Sequence, residues 1–267
     1  MTMAARLRAS WILVAGAALV AGSRWLGRRP APDTGALRLV RAPLQGLLSV
    51  ARPLVAELLL LRFEQHRERR ELAGQLDDAC AILALAPGRP ARWRELAEHF
   101  IFDASAQQAD LPARAASAKA GFDLLHDGLV LCDGHPLLRL SFGQSLLAIE
   151  VAQPELLGAI GVAGPDGAGA AELAAQSFEA GLAVATEESG VRDWLRFALV
   201  SLLCRELLAP EPRIDVAALR ARSSRLLADP GLARASRERL MDALAARRAG
   251  AQGRGRRRLA GRKRALL

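Results

Sequence analysis

ARWRELAEHF, residues 91–100, reads in two ways, and the choice between them decides the fold. Its Glu95, Glu98 and His99 stand one substitution from the zinc motif His-x-x-Glu-His, in which imidazoles at both ends place two ligands on one helix face. The first position here is Glu95, and no third ligand is signalled. Against that, Trp93, Leu96, Ala97, Phe100 and Ile101 recur at i, i+3, i+4, i+7 and i+8, the spacing of a helix with one buried face. The second reading puts Glu95, Glu98 and His99 on the solvent side and makes the apolar residues the informative ones. No metal, cofactor or catalytic residue is then expected.

Helical periodicity continues on both sides. Leu54, Val55, Leu58, Leu59 and Leu61 mark one helix with Pro53 in its first turn, and Leu72, Leu76, Ala79, Cys80 and Leu83 mark a second, stopped by PGRP at 87–90. Ala118, Phe122, Leu125 and Leu129 follow Pro112, and CDGHP at 132–136 is a turn. Leu138, Phe142, Leu146 and Ile149 carry the next helix. Beyond the Gly-rich loop at 161–170 come two further stripes, Ala174, Phe178, Leu182 and Ala185, then Val191, Leu195, Ala198, Leu199 and Leu202 with Trp194. Leu219 with Leu226 and Leu240 with Leu244 support two more polar helices around Asp229-Pro230. No stretch alternates with period two. With 51% apolar residues, 4% aromatic and no tyrosine, the chain is expected to be all-α.

The net charge of +9 is unevenly placed. Residues 1–30 carry five arginines and residues 247–267 eight arginines and Lys263, neither stretch with an acid, so the body between them is acidic. An acidic body is a poor partner for a phosphate backbone. Near the amino terminus, the uncharged run from Ala9 to Ser23 lies between basic clusters and predicts a membrane anchor or signal segment over 1–28. Fifteen residues span about 22 Å of helix, short of a core of roughly 30 Å, with Trp11 and Trp25 suited to the interfaces. The expectation is a single-pass segment held in the bilayer, with the body extracytoplasmic. A linker at 29–36, helical hairpins over 37–160 and 171–246, and a disordered basic tail at 247–267 complete the organisation. Arg254, Arg256, Arg257, Arg258, Arg262, Lys263 and Arg264 of that tail suit an anionic lipid or nucleic acid.

Trp93-x-x-Leu96-Ala97-x-x-Phe100 is similar to the first helix of the tetratricopeptide repeat, with alanine where the consensus has glycine. Pro87 matches the closing proline of a preceding unit, and Ala118-x-x-x-Phe122 and Ala174-x-x-x-Phe178 each resemble the second-helix element. A shift of 34 residues sets Leu59, Arg62, Phe63 and His66 over Trp93, Leu96, Ala97 and Phe100. Leu59 and Phe63 suit packing; Arg62 and His66 are polar where the repeat buries apolar groups. Trp93 to Ala118 is nine residues longer than a strict repeat, an excess that falls in residues 101–112. The resemblance implies a membrane-anchored bacterial protein built as an α-solenoid or compact helical array that binds other proteins. Capture of a peptide carboxylate, one mode of such repeats, needs Lys and Asn, and this chain has no asparagine and a single lysine in its body, Lys119.

The remaining chemistry-bearing residues favour structure over reactivity. Cys80, Cys132 and Cys204 sit in or beside apolar runs and are expected as small core residues. His66, His126 and His135 are isolated on helix faces or turns, and the 161–170 loop lacks the lysine and hydroxyl of a phosphate loop. The expected function is therefore a non-enzymatic scaffold acting through a helical surface, the alternative being binding of nucleic acid or anionic lipid by the tail.

Overall fold

A computed structural model describes the backbone over residues 41–161, 169–187 and 190–264, and the side chains over 54–161, 169–187 and 190–250. Among the described residues every regular element is a helix, and none of these helices is long and apolar enough to cross a membrane. The expected anchor and linker at 1–36 lie outside them. The chain divides into two compact units between Pro87 and Gly88.

The first unit contains α1 (Arg41–Glu68) and α2 (Leu72–Leu85). Helix α1 begins well before the expected start at Pro53, which lies in its interior and removes one i→i−4 hydrogen bond there. Its end is a left-handed cap. Arg70 takes φ 58°, the Glu71 N–H donates to the His66 carbonyl at 2.9 Å, and the Arg70 N–H donates to the Arg67 carbonyl at 3.1 Å. The chain reverses, and α2 packs antiparallel on α1. Arg62 pairs with the buried Asp78, and Gln75 Nε2 donates to the His66 carbonyl at 3.3 Å. His66 Nδ1 lies 2.6 Å from Glu71. The two polar residues that break the 34-residue pattern are thus the polar seam of this hairpin, with Phe63 buried beside them.

The second unit contains α3 (Pro90–Glu98), a π-helical turn His99–Ala104 continuing it, α4 (Leu111–Leu131), α5 (Pro136–Ala152), α6 (Pro154–Ile160), α7 (Ala170–Val184), α8 (Gly190–Leu208), α9 (Val216–Ala228) and α10 (Arg234–Arg264). Helices α3 to α6 each carry proline in the first turn, where the missing N–H goes unused. Asp110 caps α4 by accepting from the Ala113 N–H at 2.8 Å, and Asp215 caps α9 by accepting from the Ala217 and Ala218 N–H groups at 2.8 and 3.0 Å. The α4–α5 turn uses two left-handed residues, Asp133 (φ 50°) and Gly134 (φ 69°). Helix α10 runs on to Arg264, through most of the stretch read as a disordered tail. The nine-residue excess before Ala118 is largely helix as well, in the π turn and the first turns of α4.

Antiparallel order is fixed by close approaches. Trp93 abuts Gly128, Ala97 abuts Gly121, and Ser117 Oγ donates to the Phe100 carbonyl at 3.0 Å, so α3 and α4 form one hairpin. Arg139 faces Gly181 and Gly143 faces Phe178, which makes α5 and α7 a second. Helix α8 packs on α7, α5, α9 and α10. The helices α3, α5, α8 and α10 thus follow one another side by side, with α4, α7 and α9 behind them. The later core gathers Ala174, Phe178, Leu195, Leu199, Leu203, Leu219, Leu226 and Leu240. Of the cysteines only Cys204 is buried; Cys80 is exposed and Cys132, just past the end of α4, is half-buried, which corrects the core expectation for those two.

Candidate functional site

Trp93, Leu96, Ala97, Phe100, Ala118 and Phe122 are all buried in the hairpin of α3 and α4. Leu59, half-buried, and Phe63, buried, belong to the α1–α2 hairpin, and half-buried Pro87 closes that unit. These residues hold helices together.

The Glu95, Glu98 and His99 string separates instead of converging. Glu95 is exposed and pairs with Arg92 at 2.9 Å. Glu98 accepts from the buried Ser141 Oγ of α5 at 2.8 Å, tying α3 to the next hairpin. His99 is 8% exposed, against the expectation of a solvent-side residue. The cause is local: the π turn widens the helix at His99 and shifts the phase of the residues after it, so His99, Phe100 and Ile101 are buried in succession. The His99 ring meets Phe100 edge-on at 5.4 Å and lies 3.4 Å from the Asp103 carboxylate. Among the described residues no group of three or more His, Cys, Asp or Glu side chains is placed to hold a metal ion.

Three ionic clusters that join helices have no counterpart among the sequence expectations. Arg222 of α9 reaches back to α7, bonding Glu172 at 2.5 and 2.7 Å and Glu179 at 3.0 Å. Hydrogen bonding from Arg222 outweighs burial and holds the Glu172 carboxyl below its usual range. Arg196 of α8 bonds Asp229 at 2.9 and 3.1 Å and Asp193 at 3.1 Å, and its hydrogen bonds likewise hold Asp229 down. Glu206 of α8 is 0% exposed. Burial pushes its carboxyl up, but the Arg213 side chain, the Arg213 N–H and Arg205 together bring it below its usual range. Arg213 also reaches Glu150 of α5 at 2.6 Å. Every buried charge in these clusters faces an opposite one, which is the condition for tolerating it. The signal available in the sequence was acids spaced seven apart, Glu172 and Glu179, on a helix otherwise uncharged.

No protein-family model matches the chain, and neither does any curated protein or solved structure. The surface itself is the remaining guide. Trp194 and Phe197 of α8 stand 62% and 49% exposed, ring centroids 6.3 Å apart and nearly perpendicular. Trp194 thus lies opposite the buried stripe on which its helix packs. Leu208 is exposed on the same side of α8, and Val151 is exposed on neighbouring α5. A shallow groove of about 490 Å³ between α7, α8 and α9 is lined by Leu182, Leu199 and Leu226 together with Arg222 and Arg225. The basic residues Arg254, Arg256, Arg257, Arg258, Arg262, Lys263 and Arg264 occupy the far end of α10, where the backbone alone is described.

Proposed function

We propose that the chain is a non-enzymatic scaffold, held at a membrane by residues 1–28, that presents a degenerate tetratricopeptide-like array of hairpins to a partner protein. Its support is the order of packing. Helices α3, α5, α8 and α10 succeed one another, and each hairpin lends an unburied helix face to the next. The observation that carries the reading is the exposed Trp194–Phe197 pair, because large rigid aromatics open to solvent are enriched where proteins bind one another. A photoreactive residue placed at Phe197 in the full chain, activated in native membranes, should yield one dominant protein adduct that Trp194→Ala abolishes. Equal adducts with and without Trp194 would end the scaffold reading at this surface. Alkaline extraction of the membranes reads the anchor separately, since an integral segment stays in the pellet.

A second reading gives the basic end of α10 an anionic lipid or nucleic acid as partner. It is favoured by the helical backbone to Arg264, which at about 100° per residue distributes the cations around the whole helix. Salt titration of binding to anionic vesicles and to duplex DNA separates the two polyanions.

A further inference from the structure

Among the described residues of the first unit, the exposed large apolar side chains form a stripe on α1. Leu54, Leu58 and Leu61 are 68%, 63% and 61% exposed, while Phe63 on the opposite side is buried in the hairpin with α2. A helix with one face packed and a second row of open leucines has an unmet partner. The row extends in sequence beyond the three described side chains. Leu44, Leu47, Ala51, Leu54, Leu58 and Leu61 follow a strict 3-4-3-4-3 spacing within α1, the a and d positions of a coiled coil.

We infer that α1 pairs in parallel with α1 of a second copy of this chain, through the row from Leu44 to Leu61. Charge selects both the occupant and its direction. In that frame Glu57 is a g position and Arg62 the e position five residues on, so a parallel pair sets Glu57 of each copy beside Arg62 of the other, twice by symmetry. An antiparallel pair would instead place Arg62 against Arg41 of the other copy, like charge against like. Glu57 is exposed, and Arg62 retains about a third of its side-chain exposure while it holds Asp78. A guanidinium has five N–H donors, enough for a second carboxylate. Pro53 falls at a c position of the same frame, away from the row, so its missing N–H does not interrupt the pairing face. This inference goes beyond the scaffold reading and does not depend on it.

The test uses the full chain in native membranes with Cys80, Cys132 and Cys204 replaced by serine. Leu58→Cys is oxidised beside Arg67→Cys, an exposed position off the row. The expected result is disulfide-linked dimer from Leu58→Cys at about tenfold the yield of Arg67→Cys, the ratio set by a preference of about 1.4 kcal/mol for the paired state. Glu57→Arg, an exposed change that leaves the α1–α2 seam intact, should lower the yield from Leu58→Cys several-fold. Equal yields at 58 and 67 overturn the inference. Cross-linking only between Leu47→Cys on one tagged chain and Leu58→Cys on another overturns it in favour of an antiparallel pair. Bilayer protection of Leu58→Cys from a water-soluble maleimide, without dimer, overturns it in favour of lipid. Circular dichroism of each purified variant shows that the helices persist, so a folding failure is not mistaken for a lost dimer.

Discussion

Three residues carry testable weight out of proportion to their size. Gly121 lets α4 approach α3 so closely that an added Cβ would lie 2.6 Å from the Ala97 carbonyl oxygen, a backbone atom that cannot turn aside. Gly121→Ala is expected to lower stability by about 2 kcal/mol, overpacking outweighing the gain of about 1 kcal/mol in helix propensity. Gly158 of α6 has nothing within 4 Å of its added Cβ, so Gly158→Ala should raise stability by roughly 0.5–1 kcal/mol. Urea titration of the pair checks both signs. Arg70 holds a left-handed cap position that glycine takes without strain, and Arg70→Gly should stabilise the α1–α2 hairpin by about 1 kcal/mol. None of these positions was legible beforehand. Periodicity reports which side chains are apolar, whereas the two glycines depend on how near another helix comes and Arg70 on its backbone φ.

Helices were far more legible than the links between them. The stripe through Trp93 and the stripe through Leu195 lie on buried faces because a 3.6-residue period leaves few ways to hide so many leucines and aromatics. The ionic clusters were not legible, since they join residues far apart in sequence, as Arg222 and Glu172 are. They nonetheless set the acid response. Glu172, Glu206 and Asp229 titrate below their ordinary values of 4.5, 4.5 and 3.8. Groups held down in the folded state favour the unfolded state's protonation as pH falls. Their stabilisation is present in full above those ordinary values and is lost progressively below them. Their contribution to the melting temperature should therefore be constant above about pH 5 and be lost below about pH 4.5. Arg222→Met should lower stability by about 2 kcal/mol at pH 7, less than for a fully buried pair because Glu172 and Glu179 keep some contact with water. The deficit relative to wild type should shrink as pH falls through that window; a deficit constant with pH would mean Arg222 acts by packing alone.

At the scale of the molecule, the all-helical class and the pairing of helices into hairpins follow from pattern and turn chemistry. The path of the later hairpins does not. Helix α5 finds its main partner in α7, across α6 and the Gly-rich loop, so adjacency in sequence misassigns adjacency in space. The exposed Trp194 was hidden from the sequence for a related reason: its neighbours Leu195 and Leu199 define a buried stripe, and an aromatic one residue away looks like part of it. Removal of residues 248–267 should leave the melting temperature of the body nearly unchanged, because the core residues of α10 among the described side chains, Leu240 and Ala243, lie before the cut. A drop of more than a few degrees would show that the basic end supports the fold as well as any anionic partner.

The π turn at His99–Ala104 has a further implication. A widened turn is what one inserted residue does to an α-helix when both flanks are already committed to their neighbours: the extra peptide is looped into the spiral, and neither flank is re-threaded. Excising one residue between 99 and 104 should therefore heal the spiral into regular α-helix while the segments before and after it keep the faces they now bury. The same small irregularity that brings a histidine inward thus stores a spare residue within a helix whose flanks keep their neighbours.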